Sequence, residues 1–340
     1  MMEVTIFTNT PKTIILNAKI MNADQSSPIA LGTAAIGRPH YINIRQEEKA
    51  AFSMDTFRQK GWEVLDTAYD QGVRYFDTAP GYGMAEQLML DWVSEKKDAD
   101  IEIATKWGYT YTANFDPNAT QHEVKEHSLA KLNEQWESSQ QLLPWLTTYQ
   151  IHSATFDTGV LENQAVLHRL AELKDKYGLL IGLTASGSNQ GDIIQKSIEI
   201  EVEGSPLFDV FQITYNIFDQ SMADLANQLF KEQKRLVIKE ALANGRVFPN
   251  DRYPHYQKAY QLLNELALKY AVGTDAIALR FCIDSIPVFK VLSGAANQQH
   301  LSDNLKANDF QLADHELEAL KALAITPETY WNERKQLGWN

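Results

Sequence analysis

The sequence predicts an α/β chain folded as a (β/α)8 barrel. Three observations lead there. Eight short strand-forming segments, apolar on both faces, recur along the chain. Helical patterns separate them. No Pro- or Ser-rich linker interrupts the alternation.

In chain order, strands are expected at Ile29 to Thr33, Val73 to Thr78, Ile101 to Lys106, Thr147 to His152, Leu179 to Thr184, Val210 to Tyr215, Leu236 to Glu240 and Val288 to Ser293. Val166, Leu170, Leu173 and Tyr177 recur at helical spacing, and Gly178 stands where a C-terminal cap belongs. A second stripe, Leu263, Leu266, Ala267 and Tyr270, is expected to stop at Gly273. Ser221-Met222-Ala223-Asp224 reads as a capping box opening a helix to Lys234. The whole is a TIM barrel, one domain over residues 1–340 with a core from about 29 to 325. Two segments fall outside the repeat. Residues from Thr5 to Asp24 alternate weakly and are expected to form a hairpin closing the barrel floor. The tail from Pro327 through Trp331 to Trp339 carries aromatics among polar residues, which suggests a flap over a pocket on the active-site face or a simply docked tail.

Composition narrows the function. Lys and Arg total 31 against 44 Asp and Glu, a formal charge of −13. Nucleic acid and anionic membranes need a basic face, so neither is an expected partner. The single cysteine, Cys282, makes no internal disulfide and no zinc cluster, so no metal is expected. No basic start with an apolar core and no 18-residue apolar run is visible, so cytoplasmic localisation is expected. Nothing in the sequence bears on oligomeric state.

Active sites of such barrels lie at the C-terminal ends of the strands. Asp77 closes the second predicted strand, Lys106 the third and His152 the fourth, and Tyr82 lies in the loop after the second. A Tyr hydroxyl titrates near 10. A nearby ammonium from Lys106 lowers that value, and Asp77 holds Lys106 charged and in place. His152 orients a substrate oxygen, and Tyr82 exchanges a proton with it while hydride moves at the attached carbon. Singly, each residue has an ordinary structural reading: a turn cap, a turn aromatic, a solvated charge, a core histidine. Four strand-end coincidences in one barrel favour the catalytic reading.

The segments Gly72-Val73-Arg74-Tyr75-Phe76-Asp77-Thr78-Ala79 with Tyr82-Gly83 and Glu86, Thr105-Lys106-Trp107-Gly108, Gln150-Ile151-His152, and Gln212 with Tyr215-Asn216 resemble the aldo-keto reductase family. The resemblance runs from about Leu31 to Leu323. It implies an oxidoreductase moving hydride between a nicotinamide cofactor and a small carbonyl or alcohol, with Asp77, Tyr82, Lys106 and His152 as the tetrad. It also implies NADP as cofactor, with NAD possible, bound without a Rossmann fold; no G-x-G-x-x-G is present.

By the same resemblance, Tyr215 stacks on the nicotinamide and Gln212 contacts its carboxamide. Thr184 supplies a hydroxyl, but Ala185 stands where the family shows an amide, and Ser186 or Asn189 is the substitute. Leu242 and Gly245 belong to the loop over the pyrophosphate, where Glu240 brings a carboxylate that Arg246 is expected to offset. After the eighth strand, Ser293, Gly294, His300, Asp303 and Asn304 match the adenosine end. No Lys or Arg stands between Ser293 and Asn304, where a 2′-phosphate is usually met. Tyr41, Trp107, Tyr109 and Phe156, with tail residues such as Trp331, are the candidate substrate pocket for a small carbonyl or sugar-like molecule. The remaining histidines, among them His40 and His127, lack ligand spacing and read as solvated or structural. Two further readings stay open: an NAD-dependent aldose dehydrogenase on the same scaffold, and a non-catalytic cofactor-sensing module.

Overall fold

A computed structural model describes residues 27–39, 53–116 and 118–338. The expected N-terminal hairpin, Tyr41, His40 and Trp339 lie outside the described residues.

Eight parallel strands close into a barrel. They are β1 (Ile29–Gly32), β2 (Tyr75–Asp77), β3 (Glu102–Trp107), β4 (Leu146–Ile151), β5 (Leu180–Thr184), β6 (Val210–Thr214), β7 (Arg235–Lys239) and β8 (Lys290–Ser293). Each expected strand is present, with ends moved by a residue or two. β2 starts late because Val73 N–H still closes the preceding helix, donating to Ala68 O at 2.9 Å. The helices are α1 (Met54–Asp70), α2 (Ala85–Lys96), α3 (Leu129–Ser139), α4 (Gln164–Tyr177), α5 (Gln190–Ile198), α6 (Ala223–Lys231), α7 (Gln257–Tyr270), α8 (Thr274–Ser285), α9 (Gln298–Leu305), α10 (Asp314–Lys321) and α11 (Pro327–Lys335).

Strand side chains alternate between two environments. Ala30, Tyr75, Ala104, Leu180, Val210 and Val237 pack together inside the barrel. Their chain neighbours Phe76, Ile103, Ile181, Phe211 and Ile238 join the larger core under the helices. Two residues beyond the inner layer, on the same face of each strand, come Asp77, Lys106, Gln212 and Lys239. The period of two therefore aims those polar ends at the top of the barrel axis.

Helix ends follow their own chemistry. Gly178 caps α4 in the left-handed region, φ 69°, with its N–H on Lys174 O. The expected capping box before α6 does not form. Ser221 Oγ donates to Asp219 Oδ1 at 2.6 Å, Met222 is the cap residue, and the helix ends at Lys231, short of Lys234. Gly273 does not end α7. Ala271 does so at φ 54°, and Gly273 precedes the first residue of α8.

The described part of the tail forms α11, and none of its described residues lines the long cavity. It packs on the loops after β6 and β7: Asn216 Nδ2 donates to Tyr330 Oη at 2.9 Å, and Trp331 Nε1 donates to Asp219 Oδ2 at 3.0 Å. Tyr330 and Trp331 are buried there as buttresses. No helix among the described residues is long and apolar enough to cross a membrane.

Candidate active site

Asp77, the last residue of β2, is the hub of the site. It forms an ion pair with Lys106, and the two side chains are 2% and 0% exposed. Gln212 Nε2 donates to Asp77 Oδ2 at 2.8 Å, and Gln150 Nε2 donates to the same oxygen at 3.3 Å. Lys106 Nζ donates again to Thr78 O at 3.0 Å. Charged groups this deep persist only when paired and hydrogen-bonded, and this pair is both. Gly182 of β5 leaves room for the Gln150 side chain; a Cβ there would stand 2.7 Å from Val210 O and 3.0 Å from Gln150 Cγ.

Tyr82 rides on a 3-10 turn, Pro80–Tyr82, just past β2. Its hydroxyl is 3.5 Å from His152 Nε2. Lys106 Nζ lies 4.8 Å from the centre of the Tyr82 ring. His152 follows β4, with its N–H on Trp107 O at 2.9 Å. Its ring also faces Tyr109, centroids 4.6 Å apart. The four residues of the expected tetrad are thus one cluster.

Two ionisations differ from simple expectation. Burial foremost, then the Asp77 charge, pushes the Tyr82 phenol well above its usual range. Arg38 pulls the other way without outweighing them, and the Lys106 ammonium is engaged by Asp77 and Thr78 O. Burial foremost, then Lys106 and Arg38, holds His152 well below the usual imidazole range, so the ring is neutral.

A cavity of about 470 Å³ runs from this cluster along the tops of β1, β7 and β8. Asp77, Tyr82, Gln212 and Lys239 line one end. Leu242, Asn244, Gly245 and Phe248 line its middle. Ser293, Gly294, His300, Asn304 and Asp275 line the other end. A second cavity of about 460 Å³, bordered by Pro80, Tyr111, Phe115 and Gln135, contains none of the tetrad.

Of the expected cofactor residues, Gln212, Leu242, Gly245, Ser293, Gly294, His300 and Asn304 line the long cavity, and Thr184, Tyr215 and Asp303 do not. Thr184 Oγ1 accepts from Ser153 N at 2.7 Å. Tyr215 points outward, stacked on Phe281 at 5.9 Å and an interplanar angle of 4°. Asp303 is held by Gln299 and Lys306 on α9. Gln212 lines the cavity but spends its amide on Asp77.

Among pocket candidates, Tyr109 stands beside His152, on a hairpin of Tyr109–Tyr111 and Glu123–Lys125 that the sequence did not announce. Trp107 is fully buried in the outer core, edge-on to His127, and Phe156 is 48% exposed away from both cavities. Arg246 offsets Glu240 through its charge alone, less than Arg334 and Lys239 do. It bonds Glu333 at 3.0 Å, while Arg334 of α11 pairs with Glu240 at 2.8 Å.

Comparisons with known proteins bear on the fold and the family. The model of the Aldo/keto reductase family matches residues 28–325. The NADH-specific methylglyoxal reductase of Escherichia coli (strain K12) is 22% identical, over 88% of this chain and 94% of its own. Norsolorinic acid reductase B of Dothistroma septosporum is 22% identical, over 87% and 78%. Among solved structures, the glycerol dehydrogenase of Gluconobacter oxydans has a TM-score of 0.68 at 23% identity, covering 88% of this chain and 92% of that one. An aldo-keto reductase of Bacillus halodurans has a TM-score of 0.65 at 19% identity, covering 88% and 93%. The structural likeness speaks for the shared barrel, and the family model spans that barrel from β1 past α10. On these grounds the chain belongs to the aldo/keto reductase family.

Proposed function

We propose that this chain, an oxidoreductase of that family, reduces a small carbonyl compound using a nicotinamide dinucleotide, with Tyr82 as the proton donor. One observation carries the reading. Tyr82 lines one end of the long cavity, and its Oη stands 3.5 Å from His152 Nε2, beside a buried Lys106–Asp77 pair.

The cavity fits a dinucleotide. Its walls are largely small residues, among them Gly32, Ala34, Ala241, Gly294 and Ala295, so the backbone is accessible along its length. A Cβ built on Gly294 would meet nothing within 4 Å. The volume is in the range of cofactor pockets. The bound nucleotide supplies the hydride. The nicotinamide belongs at the Tyr82 end, because proton and hydride must reach adjacent atoms.

The chain's own residues do the rest. Tyr82 O–H and a proton on His152 Nε2 aim at one point, where a carbonyl oxygen accepts both. The phenol is held protonated, which suits an acid in reduction. When its proton leaves, the phenolate forms beside the Lys106 ammonium, which stabilises it there. Resemblance favours NADP over NAD as the nucleotide. The relatives that reduce methylglyoxal and oxidise glycerol support a small substrate, sugar-like molecules included.

The test is turnover on a panel of small aldehydes, ketones and aldoses, followed by nicotinamide absorbance. Tyr82→Phe should lower turnover at least about a hundredfold while cofactor binding, read by fluorescence, persists. Equal turnover in the two proteins would remove Tyr82 from the mechanism.

A further inference from the structure

The far end of the long cavity is built for a hydroxyl, not a phosphate. Two helices open there, α8 through Thr274 and Asp275, and α9 through His300. Helix N-termini attract anions because their first N–H groups lack partners. Here both are already attended from within. The Asp275 carboxylate lies in the first turn of α8, close enough to the backbone N–H groups of Asp275 and Ala276 that they favour its charged form, although burial foremost raises its value. Asn297 Oδ1 accepts from His300 N at 2.8 Å and closes α9.

The Asp275 carboxylate is also fixed from the cavity side. With Asn304 oriented so that Oδ1 accepts from Ser293 Oγ at 2.8 Å, its amide donates to Asp275 Oδ2 at 2.8 Å. The Asp303 carboxylate adds to the negative field, and His300 opposes it. Lys306, just past the end of α9, is spent on Asp303 at 2.7 Å. The described cavity lining contains one Lys and no Arg, and that Lys239 lies at the tetrad end.

Resting on the reading of the long cavity as a dinucleotide site, we propose that this chain selects NAD(H) over NADP(H), and that Asp275 is the residue that rejects the 2′-phosphate. A ribose 2′-hydroxyl donates to a carboxylate, and a phosphate dianion cannot. The phosphate would meet a carboxylate that lines the cavity in the first turn of α8, with no Arg fork in the described lining to offset the repulsion. The resemblance implied the phosphorylated nucleotide; the charge distribution of this cavity reverses that preference.

The test is direct binding to the full chain at fixed salt near pH 7.5. Fluorescence titration compares NADH with NADPH, and calorimetry compares ADP with adenosine 2′,5′-bisphosphate, which probe the adenosine end alone. Wild type should bind the unphosphorylated member of each pair at least about tenfold more tightly. Asp275→Asn, which keeps the side-chain shape and loses the charge, should shrink that ratio several-fold. If Asp275→Asn does not fold, Asp275→Ser, a small polar residue without charge, carries the same comparison. Equal or tighter binding of the 2′-phosphorylated ligands by wild type, or a ratio unmoved by both variants, overturns the proposal. Failure of all four ligands to bind would instead overturn the dinucleotide reading beneath it.

Discussion

Lys239 Nζ donates to Thr214 Oγ1, its register partner on β6, at 2.8 Å, and to Ser186 Oγ at the same distance. This ammonium lines the tetrad end of the cavity. It stands where the fifth strand lacks the family's amide, and Ser186, the residue expected to compensate, is what anchors it. An ammonium has three N–H donors, so one remains to serve a ligand.

Burial brings Lys239 down to about 8, against the pull of Glu240. The folded value lies below the unfolded one, so the unfolded chain binds more protons between about pH 8 and 10.5. Stability therefore carries a penalty below pH 8 that is relieved as pH rises through that window. Lys239→Met should be more stable than wild type at pH 7 by about 1–2 kcal/mol, the desolvation relief less the lost hydrogen bonds. The advantage should vanish by pH 10, and cofactor affinity should fall. Urea melts at the two pH values read the first effect and fluorescence titration the second. A variant less stable than wild type at pH 7 would contradict the argument.

The Lys106–Asp77 pair is predicted to be costly to break from one side. Lys106→Met leaves a buried carboxylate with only the Gln150 and Gln212 amides, and should cost about 3–5 kcal/mol. Asp77→Asn added to it should recover part of that loss, since no uncompensated charge then remains. Equilibrium denaturation of the two singles and the double measures the coupling. Simple additivity would mean the pair does not act as a unit.

Much of this site was legible because strand parity is a strong constraint. Asp77 and Lys106 stand two residues past the inward Tyr75 and Ala104, so the barrel aims them together. The same parity also flags the misreadings. Trp107 and Tyr215 each follow an inward residue and must point to the outer core, where both are found. It would equally have found Lys239, two past Val237. Other features left no local signal. Thr184 faces inward, yet its hydroxyl is claimed by the backbone of Ser153, a contact between the end of β5 and the loop after β4. Glu240 and Arg334 meet only because α11 packs on the loops after β6 and β7.

That last contact makes its own prediction. Burial alone would raise Glu240, but Arg334 and Lys239 outweigh it and bring the carboxyl to about 2. Stability from this group is present above about pH 4.5 and is lost as pH falls toward 2. Arg334→Met should cost about 3 kcal/mol at pH 7, and much less at pH 3, where the orphaned carboxyl is neutral. Because Glu240 opens the loop that lines the cavity, cofactor affinity should fall with it. Denaturation at both pH values checks the sign; a loss that grows on acidification would refute it.

His127 holds the backbone behind His152 and should govern acid stability. Its Nε2–H donates to His152 O at 3.0 Å, so Nδ1 is the acceptor and takes the Thr158 hydroxyl proton at 2.9 Å. Gly108, at φ 107°, passes so close that a Cβ there would stand 2.3 Å from His127 Cδ2. Burial foremost depresses His127 to about 4, below the unfolded value of 6.5. The unfolded chain then binds more protons between pH 6.5 and 4, and stability falls as pH drops through that window, by on the order of 3 kcal/mol. His127→Gln keeps a donor for His152 O and has no imidazole to protonate. It should be somewhat less stable at pH 7.5, yet lose much less on acidification to pH 4.5, as read by denaturant midpoints across the range. Parallel declines in the two proteins would show that acid sensitivity arises elsewhere.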